Sequence, residues 1–201
     1  MRSMKKLKAL IKSLFLICFL ALLNSCGIQS IPTQKNAVDA SWAEVENQYQ
    51  RRSDLIPNLV RTVKGYAAHE KETFESVINA RAKATAINID ASKITPEMMG
   101  KFQAAQGGVT SALAKLMAVS ERYPDLKANE NFRDLQVQLE GTENRITVAR
   151  NRFIQEINQF NNLIMVIPTS LTNKFWFKYD KMAQLKIDNF EKKKEAPKVE
   201  F

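Results

Sequence analysis

The chain has 201 residues, of which 30 are basic and 21 acidic, for a net charge of +9. Arg2, Lys5, Lys6, Lys8 and Lys12 precede any acid, so residues 26–201 carry 25 basic and 21 acidic side chains, a net of +4. That mixed-sign surface excludes the strongly basic footprint of a nucleic-acid binder, and the length suits one domain with a targeting segment. One histidine and two cysteines cannot supply the usual zinc sets. The sequence contains no glycine-rich phosphate loop and no G-x-S-x-G. Neither a cofactor nor a small-molecule substrate is expected.

Met1 to Lys12 reads as a basic n-region and Ser13 to Leu23 as an apolar h-region, SLFLICFLALL. The apolar run is shorter than the roughly 20 residues a bilayer core requires. Leu23-Asn24-Ser25-Cys26-Gly27 follows and resembles the lipobox of bacterial lipoproteins. That resemblance implies cleavage after Ser25 and lipidation of Cys26. Asparagine departs from the small residue commonest at its position. Cys18 lies inside the h-region, so Cys26 would be left without an internal disulfide partner. An uncleaved signal anchor is the alternative. Gly27, where aspartate would favour retention at the inner membrane, points to the periplasmic face of the outer membrane. Residues 26–35, with Pro32, read as a lipid-anchored tether.

Beyond the tether the apolar residues keep helical spacing, so the class is all-α. Val38, Trp42, Val45 and Tyr49 continue in phase through Arg52, Ile56, Leu59, Val63 and Tyr66, and then through Glu70, Phe74, Val77 and Arg81. Ser53 and Asp54 are potential helix caps, and Pro57 follows within a turn. Because the phase survives, one long helix kinked at Ser53–Pro57 is favoured over two helices. Thr95-Pro96-Glu97 is a second start signal. Its stripe is Phe102, Gln106, Val109, Leu113, Leu116, Ser120 and Tyr123, with Gly107-Gly108 expected to bend it and Pro124 to end it. Asn129 can cap the last long helix. Its stripe runs from Phe132 through Leu135, Leu139, Thr142, Ile146, Ala149, Phe153, Ile157, Phe160 and Ile164 to Ile167, a heptad-like seam stopped by Pro168. Rods of that length with one apolar stripe need antiparallel partners, which predicts an elongated up-and-down bundle over residues 36–170. In residues 171–201, the aromatics and lysines of 174–179 read either as a membrane-interface segment or, the favoured reading, as a cap on one bundle end. The 191–195 run reads as a solvated tail.

Two polar groups stand out as candidate interaction or structural motifs. Arg51 and Arg52 form a basic pair followed by Asp54, Pro57 and Asn58. Arg51 lies off the stripe, and Arg52 is expected to extend its head group to water from the stripe's edge, so the pair would serve partner capture more than folding. Glu143, Asn144 and Arg145 lie in the most apolar helix and read as an interhelical hydrogen-bond layer fixing register, with Asn144 buried. His69 beside Glu70 reads as a surface residue, since adjacent helical side chains point about 100° apart.

Three stretches, RRSDLIPNLVRTVKGYAAHE, YPDLKANENFRDLQVQLEGTENRI and the closing APKVEF, resemble the LemA family over residues 38–201. The resemblance implies an up-and-down α-helical bundle behind an N-terminal membrane anchor, with no known enzymatic activity and a poorly defined role. Some relatives are linked to membrane organisation. Many have a longer single-pass helix where this chain has residues 1–25 and a lipobox. The expected function is therefore a lipid-anchored helical scaffold or protein-interaction module of the bacterial cell envelope, meeting an envelope protein or itself. The alternatives are a hydrolase-like enzyme using Glu70, Glu143 or Arg145, and a membrane-organising factor.

Overall fold

The computed structural model describes residues 2–89 and 94–183, with the side chains of residues 2–10 and 14–27 outside that description. Residues 191–201, including APKVEF, also lie outside it. The helices are α1 (Arg2–Tyr66), α2 (Lys71–Thr85), α3 (Pro96–Ser120), α4 (Pro124–Ala128), α5 (Glu130–Met165) and α6 (Thr169–Thr172). A π-helical turn over Asn173–Phe177 follows α6 directly. Among the described residues there is no strand.

Helices α1, α2, α3 and α5 run up, down, up and down. Helix α1 packs along α5, and α2 packs along α3. The start signals act as expected: Thr95 Oγ1 accepts from the Met98 N–H at 3.2 Å, and Asn129 Oδ1 accepts from the Phe132 N–H at 3.0 Å. Helix α3 runs through Gly107–Gly108 without a break. The α5 stripe is buried from Phe132 to Ile164, but Ile167 lies outside the helix and in solvent.

The apolar stripes form two cores rather than one. The upper core joins Ile56, Leu59 and Val63 of α1 to Phe74 and Val77 of α2, Val109 and Leu116 of α3, and Phe132 and Leu135 of α5. The lower core joins Ile31, Val38, Trp42 and Val45 to Met99, Phe102, Phe153, Ile157 and Phe160. Trp42 lies at its centre, with its ring centroid 5.3 Å from Phe102 and 5.1 Å from Phe153. Helix α2 is too short to reach this level, and the segment carrying Ile87, Ile89 and Ile94 fills the space.

Two expectations change. First, residues 28–35 are not a tether. They are helical, Ile31 is fully buried in the lower core, and Gln34 Nε2 donates to Glu156 of α5 at 2.7 Å. Pro32 lies inside α1 and leaves the carbonyl of Ile28, four residues back, without its helical donor; Ile28 is exposed, so water can reach it.

Second, the stripe expected to run on in phase to Arg81 is divided between two helices, because the chain reverses at residues 67–70. The stripe stays in phase across that turn because α1 and α2 face the same core from opposite directions, and periodicity alone does not register such a reversal. Glu70 pins the turn by accepting from Arg122 Nη2 at 2.9 Å and Tyr123 Oη at 3.3 Å.

One long helix does run through Ser53–Pro57, as the surviving phase favoured, and Pro57 sits inside it. Proline has no N–H, so the carbonyl of Ser53, four residues back, loses its normal donor. The side chain of Arg81 on α2 replaces it, with Nε donating to the Ser53 oxygen at 2.9 Å. An α2 residue thus repairs a defect in α1.

That repair predicts a coupling. Arg81→Met leaves the Ser53 carbonyl unpaired and should cost roughly 1–3 kcal/mol. Pro57→Ala restores the backbone donor, so Arg81→Met should cost distinctly less in that background. Urea unfolding of the four proteins in a double-mutant cycle measures the difference, and additive effects would disprove the repair.

Candidate functional site: a buried polar layer

Each long helix carries a polar residue on its apolar stripe between the two cores. Arg52 on α1 is 3% exposed, although its stripe position was expected to let it reach water. Its guanidinium lies in the middle of the bundle. Nη1 donates to Glu143 Oε2 at 3.0 Å and to Thr110 Oγ1 at 3.1 Å. Nη2 donates to Gln106 Oε1 at 2.6 Å and to the Gln106 carbonyl at 3.3 Å. The guanidinium carbon is 5.0 Å from the centre of the Tyr49 ring, a cation–π distance. One side chain on α1 therefore binds α3 and α5 at once.

The electrostatics follow from burial. Burial pushes the Tyr49 phenol above its ordinary range, while the charges of Arg150 and Arg52 pull it back. Burial also raises the Glu46 carboxyl, one turn from Tyr49, against a smaller opposing effect of the Trp42 indole. Glu143 is half-exposed, so the Arg52–Glu143 pair has one dry partner and one wet one.

Two cavities flank the guanidinium. One, of about 120 Å³, lies between α1, α2 and α3, lined by Tyr49, Arg52, Ser53, Arg81, Phe102 and Gln106. The buried Ser53 hydroxyl on its wall has no hydrogen-bond partner within the protein. The cavity is roomy and polar enough to hold ordered water. The other, of about 190 Å³, is an open groove between α3 and α5, lined by Leu113, Met117, Leu139, Glu140 and Glu143. Among the described residues, no three His, Cys, Asp or Glu side chains converge as metal ligands would.

The remaining sequence candidates separate. Arg51, Asp54, Pro57 and Asn58 are exposed on the outer face of α1. Asp54 caps nothing and instead accepts from Gln50 Nε2 at 2.8 Å. Asn144 and Arg145 are exposed, because the inward positions of this part of α5 are Thr142 and Ile146. Arg145 Nη2 reaches only Thr142 Oγ1, at 3.3 Å. The interhelical layer exists, but Glu143 carries it and Asn144 does not. The side chain of Cys26 lies outside the described residues. His69 is exposed, and Glu70 belongs to the upper turn. Glu70, Glu143 and Arg145 thus share no pocket. Sequence reasoning missed Thr110 and Arg81 as partners, since neither stands out from its own helix. Gln106 was visible as the polar interruption of the α3 stripe.

Arg52 is therefore a structural clamp, which reverses the expected mutational pattern. Arg52→Met removes the donor shared by Gln106, Thr110 and Glu143 and should cost roughly 1–3 kcal/mol, since Glu143 and Thr110 stay within reach of water while Gln106 loses its partner. Arg51→Gln and Asn144→Leu should stay within about 0.5 kcal/mol, as exposed substitutions do. Chemical denaturation of the three variants checks the ranking; equal, small losses would remove Arg52 from the core.

The sequence model of the LemA family matches residues 41–201. The magnetosome protein MamQ of Magnetospirillum gryphiswaldense is 26% identical over 157 residues, covering 68% of this chain and 56% of its own length. Magnetosome protein MamQ 2 of Paramagnetospirillum magneticum is 25% identical over 150 residues, covering 64% of this chain and 54% of its own. Protein LemA of Metamycoplasma hominis is 22% identical over 137 residues, covering 68% and 58%. The chain spans a little over half the length of the curated relatives it matches. Together these similarities support a membrane-associated protein of the bacterial envelope. With four-fifths of its length inside the family match, the chain belongs to the LemA family.

Proposed function

We propose that this protein is a lipid-anchored helical scaffold of the bacterial envelope, held at the periplasmic face of the outer membrane through Cys26. It presents its bundle to another envelope protein or to a second copy of itself. The observation that carries the reading is the continuity of α1. One helix runs from the basic and apolar N-terminal segment, past Cys26, into both cores of the bundle. Among the described residues, no helix is long and apolar enough to cross a membrane. A covalent lipid at Cys26 would supply the attachment, since two or three acyl chains bind far more firmly than the marginal single one. The exposed row Arg51, Asp54 and Asn58, spaced by three and four residues along one face of α1, offers a polar surface for the partner.

The test compares wild type with Cys26→Ser in cells. Wild type should incorporate labelled palmitate and fractionate with membranes. The variant should lose the label and the lipoprotein-specific cleavage after Ser25, and any protein freed of the N-terminal segment should be soluble. Equal labelling of both would show that Cys26 is not the acceptor. An unlabelled, membrane-bound wild type would show that residues 13–23 persist as a signal anchor.

A further inference from the structure

The lower end of the bundle carries an apolar surface that its core does not use. Met165, Val166, Ile167, Leu171, Phe175 and Trp176 are all exposed, Phe175 by 69% and Trp176 by 61%. A contiguous patch of this kind marks an interaction surface. The patch is held in place rather than loose. Asn173 clasps Tyr179, its Nδ2 donating to the Tyr179 carbonyl at 2.9 Å and its Oδ1 accepting from the Tyr179 N–H at 3.0 Å. Asn161 of α5 clasps Met182 in the same two-way manner, at 3.0 and 2.9 Å.

These clasps sort the aromatics. Tyr179 turns its ring onto Phe160, edge to face at 5.7 Å, and Phe177 stacks on Tyr179. Phe175 and Trp176 point the other way, into solvent, with exposed Lys174, Lys178 and Lys181 around them and Asp180 as the acid among these. Half of the aromatic segment therefore closes the bundle, as a cap would. The other half does not.

The height of this patch identifies its occupant. Helices α1 and α5 are antiparallel, with Trp42 against Phe153, Arg52 against Glu143 and Gln34 against Glu156. Carried towards the N-terminus of α1 at 1.5 Å per residue, that register places residues 25–30 level with Met165, the last residue of α5, so Cys26 lies within about one turn of that end. The patch begins there. Helix α6, which carries Leu171 and leads directly into the turn with Phe175 and Trp176, packs against α1, so the patch lies beside the helix that would bear the lipid. The headgroup zone on each side of a bilayer is roughly 5–8 Å thick, so an anchor at Cys26 places the patch in that zone. Apolar and aromatic side chains ringed by lysines are the composition of an interfacial surface.

We propose that Phe175, Trp176 and the exposed end of α5 form a second, non-covalent membrane contact that docks the lower end of the bundle on the anionic lipid–water interface. The contact rests on the membrane anchoring proposed above. With two points of attachment the bundle stands in one orientation on the bilayer instead of swinging from its N-terminus.

The chain has two tryptophans, Trp42 in the core and Trp176 in the patch, so fluorescence reads the contact directly. Full-length protein is reconstituted into phosphatidylethanolamine–phosphatidylglycerol vesicles whose acyl chains are brominated near the headgroup. The Trp176 share of the emission should be quenched and shielded from aqueous acrylamide. Trp176→Phe should remove the quenching, leaving the unaffected signal of Trp42. Lys174→Gln, Lys178→Gln and Lys181→Gln together should weaken quenching, as should vesicles of phosphatidylcholine alone. Protein that floats with the vesicles while Trp176 stays open to acrylamide would overturn the docking and leave the anchor standing. Trp176 shielded from acrylamide but unquenched by bromine would assign the patch to a second protein copy and overturn the lipid contact. Protein that fails to float would overturn both.

Discussion

A single buried guanidinium holds the two halves of this bundle in register. Arg52 lies where the apolar stripes of α1, α3 and α5 are all interrupted, and Gln106, Thr110 and Glu143 take up its donors. Above and below this layer the cores are apolar and tolerant of sliding, because one leucine or phenylalanine packs much like the next. A helix displaced by one turn would withdraw the acceptors and leave a charge in a dry interior. The layer adds little net stability over an apolar replacement, since desolvating a charge offsets much of what pairing returns. Its effect is to make other alignments much worse than the native one. Burial on one side and water at Glu143 on the other soften the cost of keeping the charge.

The same region shows how a long helix accommodates a proline. Pro57 would ordinarily kink or end a helix. Here α1 continues for nine residues beyond it, to Tyr66, because Arg81 supplies the missing donor from a neighbouring helix. Arg52 and Arg81 therefore act at neighbouring residues of α1, Arg52 through its own side chain and Arg81 on the Ser53 carbonyl. One ties α1 to α3 and α5, and the other ties it to α2. The cavity between them, with the Ser53 hydroxyl on its wall, is the space left where four helices are held together by polar contacts instead of interdigitated side chains.

Much of the fold was legible because caps and stripes are local. Thr95, Asn129 and the run from Phe132 to Ile164 needed only helical geometry to be read. The reversal at 67–70 was not legible, since a stripe that faces one core reads the same on both sides of a turn. The role of Arg52 was misread for a related reason. On its own helix it is a charged residue at the edge of an apolar stripe, for which reaching water is the ordinary solution. Only the register of three helices shows that the interruptions at Arg52, Gln106 and Thr142 fall at one level. A polar residue on each of several apolar stripes is the signal that could have found the layer. Ile31 and Gln34 were taken for tether residues because Pro32 between them reads as a breaker. A proline inside a helix is tolerated where the carbonyl it deprives of a donor is open to water, as at the exposed Ile28.

Helix α1 joins what the sequence kept apart. A flexible tether would have let the domain move independently of its anchor, and nothing near residues 164–176 would then have had a fixed distance from the bilayer. Because the helix is continuous and packed from Ile31 onwards, an anchor at Cys26, as proposed, would fix the height of every other element. The residues that face the bilayer at that height are then decided by the bundle. Its lower end holds Phe175 and Trp176 outward on a segment clasped by Asn161 and Asn173, while its outer α1 face at Arg51, Asp54 and Asn58, roughly five to eight turns beyond the Ile31 level at 3.6 residues per turn, presents charged and amide side chains. On the proposed reading, the arrangement separates a membrane-facing end from a partner-facing side along one rigid axis. The Arg52 layer, midway along that axis, keeps the two aligned.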